Sequence, residues 1–266
     1  MDNPFKITVV YDNHAPKNEA LKPSWGFACV IEGFEKTILF DTGTSGPILM
    51  NNLAALGFDP AQIDRVVISH GDWDHIGGLW TFLDANPDVE VYLPDSLSRH
   101  LKDEVRNHGA RSVSVGVDRI EICPGVMLSG EMKGPRNEQA VLLQTDDRQI
   151  VTTGCAHPGI VAITRRLAET APSLPMLVMG GFHLKDSPAE EIEQIIQALE
   201  NLGARWVAPT HCSGELAETL FAKRFGKHCL SLCPGSVIVP ESLKVFSGVL
   251  IEMLDQDLSM PESHGH

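Results

Sequence analysis

The sequence predicts a layered α/β domain, and three observations carry that reading. Strand-like and helix-like signals alternate along the chain in two successive blocks, with no Pro/Gly/Ser-rich linker between them. At 266 residues and 43% apolar content, the chain can bury a sizeable core. Four apolar runs of strand type are each followed within a few residues by a histidine and then by a helix signal. A single domain over 1–253 is expected, followed by a polar tail over 254–266.

Taken in order, the first elements are strands. Lys6 to Tyr11 is short and β-branched, Phe27 to Ile31 follows the same pattern, and Thr37 to Phe40 comes after a Gly-containing turn. The polar segment from Asp12 to Trp25 holds two prolines and is too long for a hairpin, which points to a flap or rim loop. After Gly46-Pro47 the apolar residues Ile48, Leu49, Leu53 and Leu56 recur at helical spacing, and Gly57 stops the helix. Arg65 to Ile68 and Val89 to Leu93 read as strands, and Asp95 to Asn107 as a helix ending near Gly109. The region from Ser112 to Gln144 is rich in β-type residues, but its strand register is not legible. Pro158 suits a first helical position before Ile160 to Ala168. Ser187 and Glu190 have capping-box spacing ahead of the stripe Ile192, Ile195, Ile196 and Leu199, which ends at Gly203. Gly214 to Phe225 supplies the last helix.

The net charge of −14 argues against a nucleic acid or an anionic membrane as partner. No basic-then-apolar leader and no membrane-length apolar run appear, so the expectation is a cytoplasmic protein with a small-molecule substrate. Six cysteines in this context do not make a disulfide framework. Cys29 reads as a small buried hydrophobe, and Cys229 with Cys233 lacks a second pair to complete a zinc knuckle. Cys155 and Cys212 differ, because each stands near a candidate ligand. No glycine-rich nucleotide loop of the dinucleotide or phosphate-cradle type occurs.

The most informative stretch is Ser69-His70-Gly71-Asp72-Trp73-Asp74-His75-Ile76-Gly77-Gly78. Between His70 and His75 it places two imidazoles and two carboxylates directly past a buried strand. These are good ligands for a divalent cation, and Gly77-Gly78 lets the backbone turn close to the site. Three more strand-like runs lead to His157, His183 and His211. In α/β sheets ligands collect outside the carboxyl ends of strands, so these four loops are expected to converge.

The stretch resembles the His-x-His-x-Asp-His signature of the metallo-β-lactamase superfamily, with Asp72 where the second histidine usually stands. Leu39-Phe40-Asp41-Thr42-Gly43, Thr153-Gly154-Cys155-Ala156-His157, Gly180-Gly181-Phe182-His183-Leu184 and Thr210-His211-Cys212 resemble further motifs of it. From about Lys6 to about Pro240 the combination is similar to the branch of the dihydropterin-methyl ribofuranosyl-aminobenzene phosphate synthases. The resemblance implies a four-layer αβ/βα sandwich with the site along one edge of two sheets. It also implies one metal on His70, Asp72 and His157 and another on Asp74, His75 and His211, with Asp74 and His183 as catalytic residues. One or two divalent ions (zinc, iron or manganese) are the implied cofactors, and Asp72 tilts the choice toward iron or manganese. Cys155 falls where many members carry a bridging aspartate and stands as a possible ligand. Asp41 is expected to accept a hydrogen bond from a ligand imidazole, and His183 to meet substrate phosphate rather than metal. No histidine lies between His108 and His157, so Glu131 is a weaker candidate near the usual third motif.

Four functions follow from that pattern. The leading one is a hydrolase of a small anionic phosphoester, lactone or thioester that uses a metal-bound hydroxide. A transferase joining a dihydropterin-methyl diphosphate to an aryl-amine ribose phosphate stands close behind. An iron-dependent redox enzyme fits the carboxylate at Asp72, but normally needs a flavin-binding domain for which no segment remains. A non-enzymatic metal-binding role is the fourth.

Overall fold

A computed structural model describes residues 5–146, 148–169 and 176–239. The expected boundary at 253 and the polar tail lie outside the described residues. Strands β1 (Lys6–Tyr11), β2 (Ala28–Glu32), β3 (Ile38–Phe40), β4 (Arg65–Val67), β5 (Glu90–Pro94) and β6 (Arg111–Val115) build one sheet. Strands β7 (Ile120–Cys123), β8 (Val126–Leu128), β9 (Val141–Gln144), β10 (Gln149–Thr153), β11 (Met176–Gly181) and β12 (Ala204–Thr210) build the second. The last strand, β13 (Val237–Ile238), returns to the first sheet beside β1, with Ile7 opposite Ile238. Spatial orders are β13-β1-β2-β3-β4-β5-β6 and β12-β11-β10-β9-β8-β7.

Period-2 alternation explains the layers. In the first sheet Ile7, Val9, Cys29, Ile31, Ile38, Phe40, Val67 and Tyr92 turn inward. They meet Val141, Leu143, Ile150, Leu177, Met179 and Ala208 from the second sheet, which makes the central core. Their neighbours Val10, Ala28, Val30, Leu39, Val66 and Val91 point the other way. That outer face is covered by α1 (Gly46–Ala55), α3 (Leu79–Ala85) and α4 (Arg99–Asn107). The outer face of the second sheet, with Val151, Val178 and Val207, packs on α5 (Ile160–Ala168), α6 (Ala189–Asn201) and α7 (Glu215–Phe225). The order of layers is therefore helix, sheet, sheet, helix, as expected. One further short helix, α2 (Trp73–Ile76), sits in the stretch from Ser69 to Gly78. No helix among the described residues is long and apolar enough to cross a membrane.

Three helix starts differ from the expectation. Pro158 lies outside α5, whose cap is Gly159 at φ 94°, a left-handed turn that favours glycine. Ser187 makes no capping box, because Pro188 occupies the cap of α6 and the Ser187 amide closes a turn onto Leu184 instead. The expected helix from Asp95 begins at Arg99, where the Ser98 hydroxyl accepts from the Leu101 amide at 3.2 Å.

Strands β3 to β6 run parallel, as do β10 to β12. Their aligned carboxyl ends bring Asp41, the stretch from Ser69 to His75, the loop from Gly154 to His157, His183 and His211 to the seam between the sheets.

Candidate metal centre

Four loops meet along this seam, and their imidazoles form a continuous row. Ring centroids are 4.5 Å apart for His183 and His157, 4.6 Å for His157 and His70, 4.2 Å for His70 and His75, and 5.1 Å for His75 and His211. Two carboxylates complete two triads. Asp72 Oδ2 stands 3.7 Å from His70 Nε2 and 3.9 Å from His157 Nε2. Asp74 Oδ2 stands 3.3 Å from His211 Nε2 and 3.8 Å from His75 Nε2. Within each triad the donor atoms all lie within 4.8 Å of one another.

Each of these four histidines is oriented by an oxygen on its Nδ1. Asp41 Oδ2 stands 2.7 Å from His75 Nδ1, Glu138 Oε2 stands 2.9 Å from His157 Nδ1, and Asn13 Oδ1 stands 3.0 Å from His211 Nδ1. Ser69 donates its hydroxyl proton to Asp41 Oδ2 at 2.6 Å and so accepts from His70 Nδ1 at 2.9 Å. Such partners fix the tautomer and leave Nε2 as the free nitrogen. The Nε2 atoms of His70 and His211 are buried without a hydrogen-bond partner. Burial, reinforced by neighbouring imidazoles, pushes His70 and His75 down to about 4, so both rings are neutral near pH 7. Burial lowers His211 too, but Asp74 and the neighbouring negative charges outweigh it and raise that ring. A neutral, unpartnered Nε2 on His70 beside the Asp72 carboxylate is what a divalent cation requires, so the residues present fit such an ion.

The backbone is strained toward this arrangement. Asp41, Ala156, His183 and His211 are the described non-glycine residues with positive φ, between 53° and 59°, and all four flank the row. Gly154 permits a close approach between the two sheets. A Cβ there would fall 2.1 Å from Ser69 Oγ and 2.9 Å from Asp41 Oδ2.

Glu138 was not legible as a site residue, yet it anchors one side. It is fully buried, and its two oxygens accept from the backbone amides of Gly154, Cys155, Ala156 and His157. Burial pushes its carboxyl up, but the His157 ring, the His70 charge and the amides outweigh that and hold it at about 2. The weaker candidate Glu131 is instead spent on the Ser96 amide at 3.1 Å and the Asn137 side chain at 2.8 Å, and belongs to neither triad. Asn13 sits in an unpatterned polar loop, and no spacing rule marks it.

The loop from Asp12 to Trp25 forms part of the rim. Trp25 places its ring 4.9 Å from that of His211, and the Lys185 ammonium lies 5.9 Å from the Trp25 ring centroid. Arg136 donates from Nε to Asp72 Oδ1 at 3.0 Å, leaving Oδ2 for the triad. Cys155 Sγ stands 3.2 Å from His75 Nε2, and Cys155, His183 and Cys212 bring their donor atoms within 4.8 Å of one another. Cys212 Sγ lies 3.9 Å from the Cys155 carbonyl oxygen, and of these two neighbouring thiols Cys155 is raised while Cys212 is held well below the ordinary thiol range. Cys29 is buried in the central core, and Cys229 and Cys233 are half-buried free thiols away from the row.

The family model described as the metallo-beta-lactamase superfamily matches residues 26–167. The chain is 28% identical over 287 residues to a Methanocaldococcus jannaschii protein named 7,8-dihydropterin-6-methyl-4-(beta-D-ribofuranosyl)-aminobenzene-5'-phosphate synthase, covering 90% of this chain and 97% of that one. Among solved structures, Tm1679, described as a metal-dependent hydrolase of the beta-lactamase superfamily, superimposes with a TM-score of 0.73 at 27% identity, over 88% of this chain and 98% of that one. YhfI from Bacillus subtilis, a metallo-beta-lactamase fold protein, shares the fold at a TM-score of 0.65 and 14% identity, over 89% and 99% of the two chains. The chain belongs to the metallo-beta-lactamase superfamily.

Proposed function

We propose that this protein is a metal-dependent hydrolase acting on a small anionic phosphoester, lactone or thioester. The observation that carries the reading is the pair of triads, each with two imidazoles and one carboxylate, in which the buried Nε2 atoms of His70 and His211 have no hydrogen-bond partner. His70, Asp72 and His157 would hold one divalent ion, and Asp74, His75 and His211 the other. The donor mix suits iron(II), manganese or zinc. When bound, such ions supply Lewis acidity and a water made nucleophilic near neutral pH.

The residues around the triads do the positioning. Glu138, Asp41, Ser69 and Asn13 fix four imidazoles so that the donor atoms need no reorganisation when charge develops. Asp74 and His183 are the catalytic residues of this reading. Asp74 faces the shared space of the second triad, where its carboxylate orients the attacking group. His183 is exposed at the end of the imidazole row, where its ring meets the anionic part of the substrate. The cationic Lys185 at the rim favours approach of an anion despite the negative net charge.

The relative named as a dihydropterin synthase favours a second reading, transfer of a dihydropterin-methyl group from its diphosphate to an aryl-amine ribose phosphate. One experiment separates the two. Protein purified without added metal is assayed for metal content, then screened against phosphoesters, lactones and thioesters, and against the pterin diphosphate with and without the aryl amine. Turnover of a single substrate with water supports the hydrolase. Product formed only when both pterin partners are present replaces it with the transferase, and no bound metal after reconstitution overturns both.

A further inference from the structure

Beside the two triads lie two further donor sets that share Cys155: one with His70 and His75, and one of different chemical character with His183 and Cys212. Cys155, His183 and Cys212 come from the loops after β10, β11 and β12, and their sulfur and nitrogen atoms lie within 4.8 Å of one another. Both cysteines are buried, at 4% and 7% exposure, whereas His183 is open to solvent on one side. The backbone makes room for this pair of sulfurs. A Cβ at Gly181 would fall 2.7 Å from Cys212 Sγ, and the Gly181 amide ties the loops together by donating to the Gly154 carbonyl at 3.1 Å. His183 holds a left-handed φ of 53° beside them.

Two thiols and one imidazole select a cation unlike those that suit the triads. Oxygen-rich sets with imidazole accept manganese or iron(II), whereas paired thiolates prefer zinc, cadmium and their soft neighbours. Tetrahedral coordination at metal–sulfur and metal–nitrogen distances of about 2.3 and 2.0 Å separates donors by about 3.5–3.8 Å, so small side-chain rotations close this set on an ion. A fourth position would face the open side at His183. Cys155 Sγ is 3.2 Å from His75 Nε2, so an ion here is the immediate neighbour of the second triad.

We propose that Cys155, His183 and Cys212 form a separate site for a thiophilic divalent cation of the zinc and cadmium class, whose occupation inhibits the enzyme by drawing His183 away from substrate. Binding displaces the remaining thiol protons to buffer, and no oxidant or reductant takes part. The inhibition rests on the assignment of His183 to substrate under the proposed function, whereas the binding itself does not.

The test uses the full reduced chain with its triads first loaded with manganese, then titrated with cadmium. Ultraviolet absorption from thiolate-to-cadmium charge transfer and equilibrium dialysis are read together. Wild type takes up one cadmium per chain with the charge-transfer band, and retains its manganese. Cys212→Ser and His183→Ala each weaken cadmium binding by about tenfold or more, a loss on the scale of removing a metal-site contact. His183 is exposed, so His183→Ala still decides the matter if Cys212→Ser does not fold. Absence of the band, a band untouched by either substitution, or cadmium uptake matched by equal manganese loss would overturn the proposal. Failure of manganese to bind, with the cadmium band intact, would instead remove the triad reading and leave this site standing.

Discussion

Glu138 grips His157 at two points: Oε2 accepts from the His157 backbone amide at 2.9 Å and stands 2.9 Å from Nδ1 of its ring. The same carboxylate accepts the three preceding amides through Oε1, so one buried side chain sets both a loop and a ligand. Glu138→Ala strands four backbone donors in a buried site and is expected to cost about 3–5 kcal/mol. Glu138→Gln keeps acceptor oxygen and should lose less stability, while weakening metal retention at the first triad. Urea unfolding midpoints and metal content of the two variants check this. Equal stability of Glu138→Ala and wild type would mean that water replaces the carboxylate.

Asp72 is the residue at which the donor pattern departs from the superfamily signature. Asp72→His removes one negative charge and replaces a hard oxygen with a borderline nitrogen, so the zinc-to-iron ratio should rise after anaerobic loading with both metals. An unchanged ratio would show that residue 72 does not touch the ion.

Arg136 acts one step further out. Its Nε holds Asp72 Oδ1, and Arg136→Ala should lower the affinity of the first triad by about tenfold to a hundredfold without shifting the thermal midpoint. The pair is largely exposed, so little folding stability depends on it. Parallel calorimetric and metal-competition titrations would show the split.

With His183 assigned to substrate under the proposed function, His183→Ala should leave the manganese stoichiometry of the wild type unchanged while raising KM or lowering turnover. Loss of one manganese in that variant would place His183 among the triad ligands.

His14 supplies a pH dependence at the edge of the second triad, next to Asn13 and with its Nδ1 3.2 Å from Thr210 Oγ1. The Asp12 carboxylate at 2.6 Å, helped by Glu218 at 3.3 Å and opposed by burial, pushes its imidazole up to about 10. A folded-state value above the ordinary 6.5 means stability fully present below pH 6.5 and lost as pH rises through about 10. The ring is partly exposed, and solvent screens the pair, so the effect is modest. His14→Gln should flatten the decline in the denaturation midpoint between pH 6.5 and 10, and an identical slope in both proteins would refute the assignment.

The sandwich was readable because both sheets bury both faces, which leaves apolar runs such as Val66-Val67-Ile68 that end abruptly at a polar ligand. The histidines were readable for the same reason: each follows a strand whose carboxyl end the topology fixes. Their orienting partners were less so. Asp41 stands in a recognisable motif, but Glu138 reaches His157 from 19 positions upstream and Asn13 reaches His211 across 198, distances over which local pattern carries no signal. The segment from Ser112 to Gln144 hid its register because β6 ends the first sheet and β7 begins the second, so no single hydrophobic alternation runs through it.

Ala156 lies in the left-handed region at φ 59° between Cys155 and His157. A non-glycine residue there carries a conformational penalty of about 1–2 kcal/mol that glycine would escape. Ala156→Gly therefore relaxes the native backbone while widening the unfolded ensemble, and the two effects pull in opposite directions. Directed evolution for heat resistance would encounter the same tension at Asp41, His183 and His211, where relief of strain means surrender of a side chain assigned to the proposed site. The sites at which this chain has most room to become sturdier thus coincide with those it can least change, and hardening it will have to proceed from the helical flanks.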